Sequence, residues 1–258
     1  MQNLQHNVTN QHARNRGALA ANTRLIAREE SPIHPPNRLP VEDTQHVIHI
    51  AVDDHALDGD YTSLDQAEGL VLFAHGTGNS RRCPRNQRVT ARLCGEGFST
   101  LLVDLLTPDE KVVDAETQRL RFDVEMLGER IVRAVDWLNA QPENQALNLG
   151  CLGSSMGAAA ALIAAEARPE TVQAVVALEG RVDMAVSILD RIRTPVLSIV
   201  AEHDYEVLAL NRRALAEIGA ETRLEIILGR RYLFDESNTS EAIGDLVQAW
   251  FLRHLAVD

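Results

Sequence analysis

The 258-residue sequence has no apolar run near the roughly 18 residues that a membrane-spanning helix needs. Its longest candidate, Ala158 to Ala165, is alanine-rich and far too short. Cysteine is scarce: Cys83, Cys94 and Cys151 are odd in number and lack metal-ligand spacing. No disulfide framework or metal centre is therefore expected, and a reduced, cytoplasmic setting is the simpler expectation. Positive charge is also in short supply, with 25 Lys and Arg against 37 Asp and Glu, a net charge of −12. Nucleic acid is excluded as an expected partner, because neutralising phosphates takes clustered cations. The acidic surface argues equally against a membrane, no secretory signal is present, and nothing in the sequence sets an oligomeric state.

The first 40 residues differ from the rest. Met1 to Arg28 holds Arg14, Arg16, Arg24 and Arg28 and no acidic residue, and Ser31 to Pro40 is too proline-rich to continue a helix. Residues 1–40 read as a flexible leader, with an organelle transit peptide as the alternative. Residues 41–258 read as one domain.

From His46 onward strand-like and helix-like segments alternate, the signature of a mostly parallel sheet covered by helices on both faces. His46–Val52 alternates as a half-buried edge strand, and Leu57–Tyr61 would form a hairpin with it. Gly69–Ala74 (GLVLFA) is apolar throughout, as a strand buried on both faces requires. Phe98–Leu102, Leu147–Leu152, Val172–Leu178, Val196–Ala201 and Leu224–Leu228 continue the strand series. Helices are expected at Asn86–Leu93, Leu120–Leu138, Ser155–Ala167, Glu206–Ile218 and Thr239–Leu255.

Between one of these strands and the helix after it lies Gly153, Ser154, Ser155, Met156, Gly157, which matches G-x-S-x-G. The pentapeptide is common by chance; the strand entering and the helix leaving give it weight. Such an elbow presents Ser155 at the carboxyl end of the sheet and the N-terminus of a helix, where N–H groups and the dipole favour developing negative charge. The Met156 N–H is one candidate oxyanion donor. The strand Gly69–Ala74 ends in His75, Gly76, Thr77, Gly78, an H-G-x-G turn whose Thr77 N–H is the second. His75 is read as structural, with general base as the alternative. Arg81, Arg82 and Arg85 make either an anion-binding lip or a solvated loop. The acid should follow the serine: Val196–Ala201 runs into Glu202, His203, Asp204, where Asp204 is favoured and Glu202 and Glu206 are alternatives.

From about Gly69 to Leu255 the chain resembles the dienelactone hydrolase-like branch of the α/β-hydrolases, through VLFAHGTGNSRRCPRN, LLVDLLTPDE, RFD, GSSMG, AEHDYEVLALN and AWFLRHL. The resemblance implies an α/β-hydrolase fold and cleavage of a small ester or lactone by a Ser–His–Asp triad, with no metal or organic cofactor. One departure concerns the base. The family histidine lies just after the last strand in a Gly-x-x-His-x-Phe-like turn, and here that turn reads Gly229, Arg230, Arg231, Tyr232, Leu233, Phe234. Tyr232 stands at the histidine position, and with a phenol pKa of about 10 it is a poor base near neutrality. Its side chain is expected to point toward Ser155 and Asp204, with Asp204 accepting from the phenol. His203 is the one substitute base that its position allows. Two functions follow: a serine hydrolase of weakened activity, or a hydrolase-fold module that binds a ligand or partner. Acyl transfer to an alcohol would use the same residues.

Overall fold

The computed structural model describes residues 23–26, 44–52, 54–76, 80–233 and 239–256. Among them nine strands form one sheet: β1 (Thr23–Ile26), β2 (Thr44–Val52), β3 (His55–Ser63), β4 (Gly69–Ala74), β5 (Phe98–Val103), β6 (Leu149–Ser154), β7 (Val172–Leu178), β8 (Val196–Ala201) and β9 (Thr222–Ile227). The helices are α1 (Pro84–Gly95), α2 (Pro108–Thr117), α3 (Val124–Asn139), α4 (Met156–Ala167), α5 (Tyr205–Glu217) and α6 (Thr239–Leu255). The strand order is β1-β9-β8-β7-β6-β4-β5-β3-β2. Only the β2–β3 hairpin and the β3–β5 pair are antiparallel.

The uninterrupted apolar strands follow from this layering. In β4, Leu70, Leu72 and Ala74 face the side covered by α3, α4 and α5, while Val71 and Phe73 face the side covered by α1 and α6. Every residue of β4 is buried, as a strand between two helical layers must be. Helix α4 runs against the sheet centre on alanines: Ala158 to Ala161 are fully buried, which lets backbone approach backbone. No helix among the described residues is long and apolar enough to cross a membrane.

Three expectations need correction. The periodic stretch Leu120–Leu138 is two pieces: Leu120–Phe122 forms a 3₁₀ turn, and α3 starts after Asp123, whose carboxylate accepts from the Met126 N–H at 3.1 Å. That cap satisfies an orphan donor and defines the start. Helix α2 was not anticipated, because its only buried residue is Asp114 and no apolar stripe marks it. Its signal was local: Thr107 and Glu110 form a reciprocal capping box ahead of Pro108. Finally, the flexible-leader reading of residues 1–40 does not hold for Thr23–Ile26, which pair in parallel with β9. Leu25 stays 62% exposed, so the strand gives little apolar signal and rests on its backbone ladder. Its Arg24 lies opposite the fully buried Glu225. Burial pushes the Glu225 carboxyl upward, partly countered by Arg223 and Arg24. The rest of that leader lies outside the described residues.

Candidate active site

The turn between β6 and α4 places Ser155 at φ 51° and ψ −123°, a region that side-chain-bearing residues rarely occupy. Such strain costs on the order of 1–3 kcal/mol and persists only where neighbours hold it. Here they do. The Ser155 N–H donates to Leu178 O at 3.3 Å, and Ser155 O accepts from the Arg181 and Ala158 N–H groups at 3.0 and 3.2 Å. Flanking glycines allow the turn to sit this close: a Cβ on Gly157 would lie 2.0 Å from Ala74 O, and one on Gly153 2.4 Å from Ala158 Cα. Ser155 is exposed, and its hydroxyl has no partner among the described residues. Met156 opens α4, so its N–H has no carbonyl four residues back within the helix. Cys151, one strand position away from Gly150 and Leu152, is no rival nucleophile: burial pushes its thiol up to about 12.

Beside the elbow, β4 leads into His75 and Gly76. The Gly76 N–H donates to Ser154 Oγ at 3.0 Å, so the serine preceding Ser155 ties the elbow to this turn. Thr77 lies outside the described residues. His75 is fully buried, with Nε2 donating to Asp104 Oδ1 at 2.8 Å and Nδ1 2.9 Å from Gly76 O. Both ring nitrogens face acceptors, which gives His75 a structural position and leaves it no free nitrogen to take a proton from Ser155. Of the three nearby arginines, Arg81 is neither lip nor solvated loop. It is buried, donating to Asp60 through Nε and to Asp104 through Nη1.

The acid and base candidates come from the loops after β8 and β9. Asp204 caps α5, its Oδ1 accepting from the Val207 N–H at 3.2 Å. Of the alternatives, Glu202 accepts from the Gly229 N–H at 2.8 Å, and Glu206 is exposed in the first turn of α5. His203 is exposed; its ring lies 3.5 Å from Glu202 Oε2, and its N–H donates to Arg230 O at 2.7 Å. No described contact joins it to Ser155 or Asp204. Tyr232 is 47% exposed, with the Arg231 guanidinium 5.8 Å from its ring centroid. No phenol–Asp204 hydrogen bond is present among the described residues, where Asp204 Oδ1 accepts from the Val207 N–H.

Sequence reasoning passed over two residues here. Glu179, the first residue after β7, also has a positive φ, 45°, and its Oε1 accepts from the Leu233 N–H at 2.6 Å. It thereby pins the loop that carries Tyr232. Asp104, after β5, gathers His75 and Arg81; the signal available was an aspartate directly after an apolar strand, in LLVDLL. Among the described residues no group of three or more His, Cys, Asp or Glu is placed to hold a metal ion.

Comparison with known proteins identifies the family. The pattern of the dienelactone hydrolase family matches residues 59–227. A solved dienelactone hydrolase from Anabaena variabilis is 42% identical, covers 83% of this chain and 99% of its own, and superposes with a TM-score of 0.79. A predicted CIB-like hydrolase from Thermoplasma acidophilum shares the fold at 16% identity, with a TM-score of 0.61 over 80% of this chain and 99% of its own. A Mycobacterium tuberculosis protein named as a candidate phosphoribosyl transferase, found in two strains, is 42% identical over 197 residues. That match takes in 76% of this chain but only 44% of the mycobacterial protein. Family pattern, closely related structure and parallel-sheet architecture concur, and the chain belongs to the dienelactone hydrolase family of α/β-hydrolases.

Proposed function

We propose that the protein is a serine hydrolase of small carboxylic esters or lactones, with Ser155 as nucleophile. The observation that carries this reading is the strained, exposed Ser155 at the N-terminus of α4, in a turn that neighbouring backbone over-determines. Ser155 Oγ attacks the carbonyl carbon, and its proton passes to solvent. The Met156 and Thr77 N–H groups receive the developing oxyanion, as preorganised donors do in acyl transfer. Collapse expels the alcohol and leaves an acyl-serine, which water then cleaves to the acid and free Ser155. No metal or organic cofactor takes part in these steps.

With Tyr232 where the family has histidine, no imidazole takes the Ser155 proton, and the nucleophile stays weak at neutral pH. Hydrolysis of an activated aryl ester such as p-nitrophenyl acetate should therefore be slow and should climb with pH, with no inflection between pH 6 and 7. Ser155→Ala should remove the enzymatic part of the rate. An inflection near the histidine pKa of about 6.5 would instead assign the base to His203, and His203→Ala would then abolish activity. A rate untouched by Ser155→Ala overturns the proposal.

The second reading, a ligand- or partner-binding module on a weakened site, draws on Tyr232 and on the commitment of Asp204 to the α5 cap. The phosphoribosyl transfer in the mycobacterial relative's name belongs to a protein of which this chain covers less than half, and the elbow described here is equipment for acyl chemistry. A soluble, cytoplasmic setting completes the proposal.

A further inference from the structure

We propose that Tyr205 and Tyr232 form an aromatic flank beside Ser155 that selects esters carrying an aromatic ring next to the scissile carbonyl. The proposal deepens the hydrolase reading above and rests on it. The chain has three tyrosines. Tyr61 is buried in the core, its hydroxyl donating to Asn144 Oδ1 at 2.8 Å. Tyr205 is instead 71% exposed, and Tyr232 is exposed as well. Topology sets their place. Strands β6, β7, β8 and β9 are consecutive parallel neighbours, so their carboxyl ends share one edge of the sheet. Ser155 follows β6, Tyr205 opens α5 just after β8, and Tyr232 lies in the loop after β9. With strands about 4.8 Å apart, β8 stands roughly 10 Å from β6, a gap that a tyrosine side chain and one further ring fill together.

Hydrogen bonds fasten these segments to one another and to the elbow. The His203 N–H donates to Arg230 O at 2.7 Å, and each tyrosine lies two residues beyond one end of that bond. The His203 ring stands 6.0 Å from the Tyr205 ring, tilted by 53°, and so backs it. Leu233, next to Tyr232, donates its N–H to Glu179 Oε1, and the adjacent Leu178 O accepts from the Ser155 N–H. On the β7 side Arg181 donates its N–H to Ser155 O. Beyond the 3₁₀ turn Val182–Ala185 lies Val186, as exposed as Tyr205. Apolar side chains left in water on three successive loops around one nucleophile gain when a ligand covers them. A flat ring is the fitting cover, because aromatic pairs stack or meet edge to face at centroid distances of about 4.5–7 Å and gain beyond their buried area. An aliphatic group of the same reach lacks that gain.

The test uses the full chain and two serine-directed reagents, phenylmethanesulfonyl fluoride and methanesulfonyl fluoride, read by mass spectrometry of the Ser155 peptide. Comparing the ratio of their second-order rate constants between variants cancels the reagents' own reactivity. Tyr205→Ala should lower the aromatic-to-methyl ratio about fivefold or more, and Tyr205→Phe, which keeps the ring, should hold it within about twofold of the natural protein. Val47→Ala, at an exposed apolar position on the far edge strand β2, should leave the ratio unchanged. An equal fall in Val47→Ala overturns the proposal, as does an equal fall in Tyr205→Phe, which would make the hydroxyl and not the ring the selective group. A natural protein that takes up neither reagent at Ser155 overturns the hydrolase reading and this proposal together. Labelling by both reagents with an unchanged ratio in Tyr205→Ala overturns the proposal alone.

Discussion

Gly157→Ala should destabilise the protein and nearly silence Ser155. The new methyl group would stand 2.0 Å from Ala74 O and 2.8 Å from Ala74 C, and both obstacles are backbone. No rotamer relieves that clash; the end of β4 and the start of α4 must separate by on the order of 1 Å. Overpacking of this kind costs typically about 1–3 kcal/mol, and the upper end applies here because the obstruction cannot swing aside. At roughly 2–4 °C per kcal/mol for a domain this size, the thermal midpoint should fall by roughly 6–12 °C. The residue after Ala74 is His75, so the same separation carries the oxyanion turn away from Ser155. Phosphonylation should drop by about 100-fold. A variant that keeps both its midpoint and its reactivity would show that the elbow is looser than described.

Tyr232→His should have the opposite sign. The loop after β9 that carries residue 232 is already held, with Leu233 tied to Glu179 and Gly229 tied to Glu202. An imidazole delivered from there would accept the Ser155 proton, a contribution of roughly 10²–10⁴-fold in well-formed sites. Because Asp204 spends one carboxylate oxygen on the α5 cap, orientation of the new ring would be incomplete, and about tenfold is the expected gain in ester hydrolysis. The variant's pH profile should acquire an inflection near 6.5 that the natural protein is expected to lack. A folded Tyr232→His protein with neither gain nor inflection would show that position 232 does not reach Ser155.

The strands that build the site were the most legible part of the chain. GLVLFA, VQAVVAL and VLSIVA are apolar on both faces, and β4, β7 and β8 occupy those residues. Elements held by polar contacts were not legible in the same way. Helix α2 is fastened by Lys111 on Asp104, Glu110 on Arg130 and Asp114 on Arg121, so it shows no hydrophobic period. Strand β1 is a short edge whose registry comes from β9. Within the candidate site, the tight turn at Ser155 was legible because close backbone approach requires the glycines on either side of it. Asp104 was not, because its partners come from three separate segments and only the fold assembles them. The capping role of Asp204 was hidden for a related reason: an aspartate directly before a helix reads equally as a cap and as a candidate acid, and spacing does not separate the two.

The central claim is that Ser155 is the nucleophile, and covalent trapping tests it most directly. Treatment with a fluorophosphonate followed by peptide mass spectrometry should place a single adduct on Ser155. Ser155→Ala should abolish it, and Ser154, whose hydroxyl is occupied by the Gly76 N–H, should remain unmodified. An adduct on Ser154, or labelling that persists in Ser155→Ala, would contradict the account.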